Sequence, residues 1–260
     1  MFKETGISHI KNFINKDIKD NLNEEITELS NKYSINGVTR ASTWINKNLC
    51  DINDPIVNIN SVNLLEIVSK VHQEVAKISS SNYTLSNVRI MIEKNNSHPI
   101  SWHTDNKPGI IRAIIYLKGG EKNNGNLSFI KGSHNSTHSK NLHKINLFEL
   151  GLEDKIISMD TQESDLIFFD INGFHQKNPI VSERRVILVE FHDGKSNIKI
   201  GKVILDNSKF QKNTIKNLDF LFSNNNINFK DYRGIVYSDN LPLNSPFKVF
   251  YYYFKSFLKL

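Results

Sequence analysis

Apolar and polar positions fall into two textures along the chain. In residues 62–78, Val62, Leu65, Val68, Val71, Val75 and Ile78 recur at three- and four-residue steps. That spacing puts them on one face of an amphipathic helix. A weaker helical period covers roughly residues 8–31, so the first eighty residues read mostly as helix. From about residue 87 the texture changes. Short apolar runs alternate with clusters of Asn, Gly, Ser and Lys: NVRIMIEK, IIRAIIYL, NLSFI, KIISM, DLIFFD, RRVILVEF and IKIGKVIL. Each reads as a strand. In the first, Val88, Ile90 and Ile92 share one face, and Asn87, Arg89, Met91 and Glu93 the other. With no long helical pattern between them, these strands predict a sandwich or barrel, not a βαβ sheet.

The whole is expected to be one domain. Residues 1–85 form a helical elaboration, 86–206 the β core, and 207–260 a C-terminal extension. Hydrophobic residues are 38% of 260, and 16 Phe, 8 Tyr and 2 Trp add enough bulk for a sizeable core. The one cysteine, Cys50, forms no internal disulfide. The first twenty residues lack the apolar centre of a signal peptide, and no run is apolar enough to span a bilayer. A reducing, cytoplasmic setting is expected. The net charge of +6 accompanies a chain rich in Asn, Lys and Ile, and by itself is weak evidence for an anionic partner.

Nine histidines carry the candidate chemistry. His103 and Asp105 lie two apart in SWHTDN, and His175 lies in NGFHQKNP. On an extended segment, residues two apart point the same way. Two His and one carboxylate hold non-haem iron(II) on one face and leave the opposite face open. A lone His-x-Asp is a weak motif, but the context of His175 strengthens it. It follows a strand and tight turn, DLIFFDING, and precedes Arg184 and Arg185, which open RRVILVEF. An Arg entering an apolar strand is costly unless it meets an anion, and a carboxylate suits its fork. Three ligands and a carboxylate anchor would suit a keto acid that chelates the metal at one end.

The stretch from residue 87 to 195 resembles the iron(II)- and 2-oxoglutarate-dependent oxygenases, and within them the phytanoyl-CoA dioxygenase-like group. The matching pieces are SWHTD, IIYLKGGEKNNGNLSFIKGSH and DLIFFDINGFHQKNPIVSERRVILVEF. The middle piece carries Leu117, Gly125, Leu127, Gly132, Ser133 and His134. The resemblance implies a double-stranded β-helix (a cupin-like jelly roll), mainly β, with flanking N-terminal α-helices. It implies that His103, Asp105 and His175 are the catalytic iron ligands. It further implies that an Arg shortly after the second His binds the distal carboxylate of 2-oxoglutarate. Arg184, nine residues on, and Arg185, ten on, both qualify. If Arg185 faces the cavity, so do Ile187, Val189 and Phe191; if Arg184 does, Glu190 is buried with it. Because a buried carboxylate is costly, Arg185 is preferred.

Two departures narrow the substrate. Nucleic-acid demethylases of this superfamily carry two Arg six apart on this strand; here Glu190 and Phe191 stand six after Arg184 and Arg185. No nucleic-acid partner is therefore expected. Phytanoyl-type enzymes often have Gln between the first two ligands, where this chain has Thr104. The resemblance thus implies an enzyme that uses iron(II), 2-oxoglutarate and O2, releases succinate and CO2, and hydroxylates a small organic or carrier- or glycan-linked metabolite. The Asp ligand favours hydroxylation over halogenation. The alternatives are a prolyl-type protein hydroxylase and a non-catalytic jelly roll that binds sugar or lipid.

Other features have plainer readings. Gly132-Ser133-His134 is expected to be a strand-capping turn. His192 and Asp193 end a strand, and His138 and His143 lie in a polar loop. Trp102, Arg89 and Met91 are candidate substrate-pocket residues. The tail PFKVFYYYFKSFLKL is expected to pack on the barrel or across a dimer, with contact to a membrane surface as the lesser alternative. No phosphate loop, Rossmann fingerprint, His-Glu-x-x-His or Cys-x-x-Cys is present.

Overall fold

The computed structural model describes residues 2–33, 49–53, 62–79, 83–94, 100–105, 107–136 and 151–193. Among these residues, three α-helices, α1 (Phe2–Thr5), α2 (Lys16–Tyr33) and α3 (Val62–Ile78), accompany ten strands. The strands are β1 (Ile7–Ile10), β2 (Leu49–Asn53), β3 (Thr84–Glu93), β4 (Ile100–His103) and β5 (Ile110–Lys118), then β6 (Leu127–Ile130), β7 (Ile156–Ser158), β8 (Leu166–Asp170), β9 (His175–Lys177) and β10 (Arg184–His192). They form a six-stranded sheet ordered β1-β8-β5-β10-β3-β2 and a four-stranded sheet ordered β4-β9-β6-β7. Every pairing is antiparallel. This is the expected mainly-β double-stranded β-helix.

Alternation along each long strand divides the core in two. Val88, Ile90 and Ile92 of β3, Ile111, Ala113, Ile115 and Leu117 of β5, and Ile187, Val189 and Phe191 of β10 face the helices. There they meet Leu22 and Ile26 of α2 and Leu64, Ile67, Val68, Val71 and Val75 of α3. The buried stripe of α3 thus includes Leu64 and Ile67, outside the expected face. The other faces of the large sheet turn toward the small sheet. Ile114, Tyr116, Phe169, Val186 and Leu188 pack there with Leu127 and Phe129 of β6. All the apolar runs from residue 87 to 191 are strands within a few residues of the expected limits.

The N-terminal region is mostly helical, as expected, but adds two short strands. β1 pairs with β8 and β2 with β3, so both edges of the large sheet are closed by early segments. β1, ISHI, spans four residues, too few to display a strand period. The expected strand at 198–205, the polar loop at 137–150 and the extension at 207–260 lie outside the described residues.

Candidate metal centre

β4 and β9 lie side by side in the small sheet, with His103 opposite His175. Their ring centroids are 4.3 Å apart. Asp105 follows in the turn leaving β4. One ligand atom from each of His103, Asp105 and His175 can be chosen so that all lie within 4.8 Å of one another. The sequence trio is thus one cluster in space.

Two turns hold the cluster. The Asp105 N–H donates to the Ile171 carbonyl at 3.0 Å, and the Thr104 hydroxyl donates to the Asn172 carbonyl at 3.0 Å. These bonds tie the turn after β4 to the turn between β8 and β9. Within the second turn, the Asn172 N–H donates to Asp170 Oδ1 at 2.9 Å. A Cβ at Gly173 would lie 2.4 Å from Phe129 Cζ, so only glycine fits there. The buried Ser133 hydroxyl donates to the Ile130 carbonyl at 2.7 Å and accepts from the Phe174 N–H at 2.8 Å. The Gly-Ser-His segment therefore buttresses the residue before His175, while His134 reaches the Lys3 carbonyl at 3.2 Å. It is a structural turn, as expected.

The hydrogen bonds of the two imidazoles fit a metal-ligating role. His103 Nδ1 lies 2.8 Å from the Ser101 carbonyl, and His175 Nδ1 lies 2.9 Å from the Gly173 carbonyl. A carbonyl only accepts, so each Nδ1 carries a proton, and in the neutral ring Nε2 keeps its lone pair for a metal. His175 is 3% exposed. Its Nε2 is buried with no hydrogen-bond partner among the described residues. Burial, with the neighbouring His103, pushes the His175 pKa down to about 3, so the ring is neutral at physiological pH. Burial opposes ionisation of Asp105, but the Arg112 guanidinium beside it outweighs this and holds the carboxyl well below the usual carboxylate range. The neutral His175 ring, the imidazole of His103 and one carboxylate, with an orphaned nitrogen aimed into the cluster, fit a divalent non-haem iron and its open face.

Arg112 was not singled out by the sequence. It lies on β5 opposite Glu190 of β10. Its Nη2 donates to Asp105 Oδ2 at 2.7 Å and to Glu190 Oε1 at 2.6 Å, and its Nε donates to the same Glu190 oxygen at 2.9 Å. The signal was present: a lone Arg inside the apolar run IIRAIIYL needs an anion, by the reasoning applied to Arg184 and Arg185.

The preference for Arg185 on the cavity side is overturned. Arg185 faces α2, where its Nη1 donates to the Asn23 carbonyl at 3.0 Å and to Thr27 Oγ1 at 3.0 Å. Arg184, 4% exposed, shares the inter-sheet face with Val186 and Leu188. Glu190 is inside as well, and Arg112 removes the cost that had argued against burying it. Arg184 and Lys177 both donate to the carboxylate of Glu93, which is 1% exposed. The Arg184 guanidinium also lies 5.5 Å from the centre of the Tyr116 ring. Arg184 Nε and the Tyr116 hydroxyl are buried without hydrogen-bond partners among the described residues. Gly125 makes room for this side chain: a Cβ there would lie 2.4 Å from Arg184 Cδ.

Of the pocket candidates, Met91 packs on the inter-sheet core, while Arg89 and Trp102 are half-buried. No metal-ligand cluster other than His103, Asp105 and His175 is found among the described residues.

No family model matches the chain, and no curated protein matches it in sequence. Solved structures do match its fold. One is the non-haem alpha ketoglutarate dependent epimerase SnoN from nogalamycin biosynthesis, with TM-score 0.60, 14% identity, and coverage of 74% of this chain and 80% of that one. Another is HygX from Streptomyces hygroscopicus with nickel and 2-oxoglutarate bound, with TM-score 0.58, 11% identity, and coverage of 75% and 85%. A third is AviO1 from Streptomyces viridochromogenes Tue57, with TM-score 0.56, 14% identity, and coverage of 76% and 94%.

Proposed function

We propose that this protein is an iron(II)- and 2-oxoglutarate-dependent dioxygenase that hydroxylates a small organic molecule or a carrier- or glycan-linked metabolite. The carrying observation is the cluster of His103, Asp105 and His175, in which both Nδ1 atoms are committed and the buried His175 Nε2 has no hydrogen-bond partner among the described residues. A non-catalytic binding module leaves that nitrogen unexplained. The likeness to SnoN and HygX supports the reading by analogy of fold. Structures of SnoN with Fe3+, alpha ketoglutarate and nogalamycin RO, and of HygX with nickel, 2-oxoglutarate and hygromycin B, favour a small-molecule substrate. The phytanoyl-CoA dioxygenase-like subgroup and a cytoplasmic setting rest on the sequence alone. Among the described residues, no helix is long and apolar enough to cross a membrane.

When bound, iron(II) and 2-oxoglutarate would supply the oxidising chemistry, with succinate and CO2 as by-products. The chain supplies position and charge. His103, Asp105 and His175 would occupy one face of the metal. Arg184, not Arg185, would hold the distal carboxylate of 2-oxoglutarate. Arg184, Lys177 and Glu93 together leave one positive charge, and the Arg184 Nε–H and Tyr116 O–H lie buried beside it. Phe129, Phe169, Val186 and Leu188 keep water away from the space between the sheets.

The test is to add iron(II) and then 2-oxoglutarate to the purified protein without oxygen. A weak visible charge-transfer band should appear, and oxygen should then release succinate. His103→Ala and Asp105→Ala should lose both. Folded wild-type protein with no band, or undiminished succinate release in either variant, overturns the proposal.

A further inference from the structure

We propose that Arg112 is a positioning residue that restricts Asp105 to donating one oxygen to the metal, and that Glu190 holds Arg112 in place. The inference rests on the proposed function and concerns residues to which neither the sequence motif nor the fold likeness gives a role.

The two Asp105 oxygens have different partners. Oδ2 accepts from Arg112 Nη2 at 2.7 Å, while Oδ1 lies 3.5 Å from His103 Nε2, on the ligand side. Arg112 Nη2 carries two N–H bonds, one for Asp105 and one for Glu190. Nε–H also points to Glu190, so Glu190 fixes the plane of the guanidinium and the direction in which the Asp105 bond leaves it. Glu190 and Arg112 are cross-strand partners in the centre of the large sheet, which makes the clamp rigid.

Ligand counting shows what the clamp does. An octahedral ion with three protein donor atoms has three remaining positions. A chelating keto acid takes two, and oxygen needs the third. A carboxylate is free to bind through one oxygen or two, and the second oxygen would take one of those positions. Holding Oδ2 on Arg112 prevents this. The charges agree: one guanidinium shared by two carboxylates leaves a net negative charge, so Asp105 remains a strong donor.

The experiment uses the full chain under anaerobic conditions, with wild type, Arg112→Met, Arg112→Lys and Glu190→Gln. Manganese(II) affinity is measured calorimetrically without co-substrate. 2-Oxoglutarate is then titrated into the iron(II)-loaded protein by its visible band. Arg112→Met should bind the metal within a few-fold of wild type, but bind 2-oxoglutarate at least tenfold more weakly, with a displaced band. Arg112→Lys should recover part of the loss. A purely structural ion pair would lower thermal stability and both affinities together and leave the band in place; that result overturns the inference, as does an unchanged 2-oxoglutarate titration. If Arg112→Met does not fold, Glu190→Gln decides: a several-fold loss of 2-oxoglutarate affinity with metal binding retained supports the clamp, and no change removes it. A wild-type protein that shows no band defeats the dioxygenase reading itself; a normal wild-type band with an unaltered variant defeats only the clamp.

Discussion

Arg184 and Arg185 are neighbours on β10, yet their side chains lie on opposite sides of the large sheet. Arg184 is buried between the sheets against Glu93, and Arg185 bonds to Asn23 and Thr27 of α2. The two positions therefore separate the proposed co-substrate anchor from a helix tether. Arg184→Met should weaken 2-oxoglutarate binding on the order of a hundredfold, as expected when a buried charged hydrogen bond is lost. Arg185→Met should leave that affinity within about twofold and cost about 1–2 kcal/mol of stability. Anaerobic titration and chemical denaturation of both variants check this; the reverse pattern would restore Arg185 as the anchor.

Lys177 should set the preference for a dicarboxylate. It shares Glu93 with Arg184, so removing it leaves a neutral pair facing the distal carboxylate. Lys177→Met should weaken 2-oxoglutarate by about tenfold. It should change pyruvate binding little, since pyruvate has the chelating end and no distal carboxylate. Competition at the metal-loaded site measures both. Equal losses for the two acids would mean that Lys177 acts on the metal end.

Metal should stabilise the fold through His175. Iron(II) or manganese(II) at a hundred times its dissociation constant should add about 2.7 kcal/mol to unfolding, by mass action. A chelator should reverse the gain. His175→Ala should melt at the same temperature with and without metal. A metal-induced rise that survives this substitution would place the ion elsewhere.

Acid should destabilise the metal-free protein in two stages. The His175 pKa is pushed down to about 3 from its ordinary 6.5, chiefly by burial. Between those values the unfolded chain binds one more proton, so stability falls as pH drops through this window, by up to about tenfold in the unfolding constant per pH unit. Burial opposes ionisation of Glu93, but Arg184 and Lys177 hold its pKa below the ordinary 4.5. Its contribution is therefore present above about 4.5 and lost as pH falls below that. Denaturation curves from pH 7.5 to 4 should steepen accordingly. In His175→Ala the loss between 6.5 and 4.5 should be reduced; an unchanged curve would contradict the buried neutral imidazole.

The sequence alone determined the class of fold and singled out the three residues, His103, Asp105 and His175, that folding brings together. Strand alternation and turn residues are local properties, so NVRIMIEK, IIRAIIYL and RRVILVEF could be read as strands without knowing their neighbours. His103, Asp105 and His175 were legible because ligand chemistry restricts residue type and the turns around them are built from adjacent residues. What the chain could not disclose were pairings across strands. β4 and β9 span four and three residues and carry polar side chains, so they lack an apolar period. β1 and β2 gain their strand form only by pairing with the sheet edges. The choice between Arg184 and Arg185 turned on whether Glu190 could be buried, and that depended on Arg112, distant in sequence and opposite it in register. The cost of burying a charge is set by the group that folding brings against it, and only the tertiary structure supplies that group.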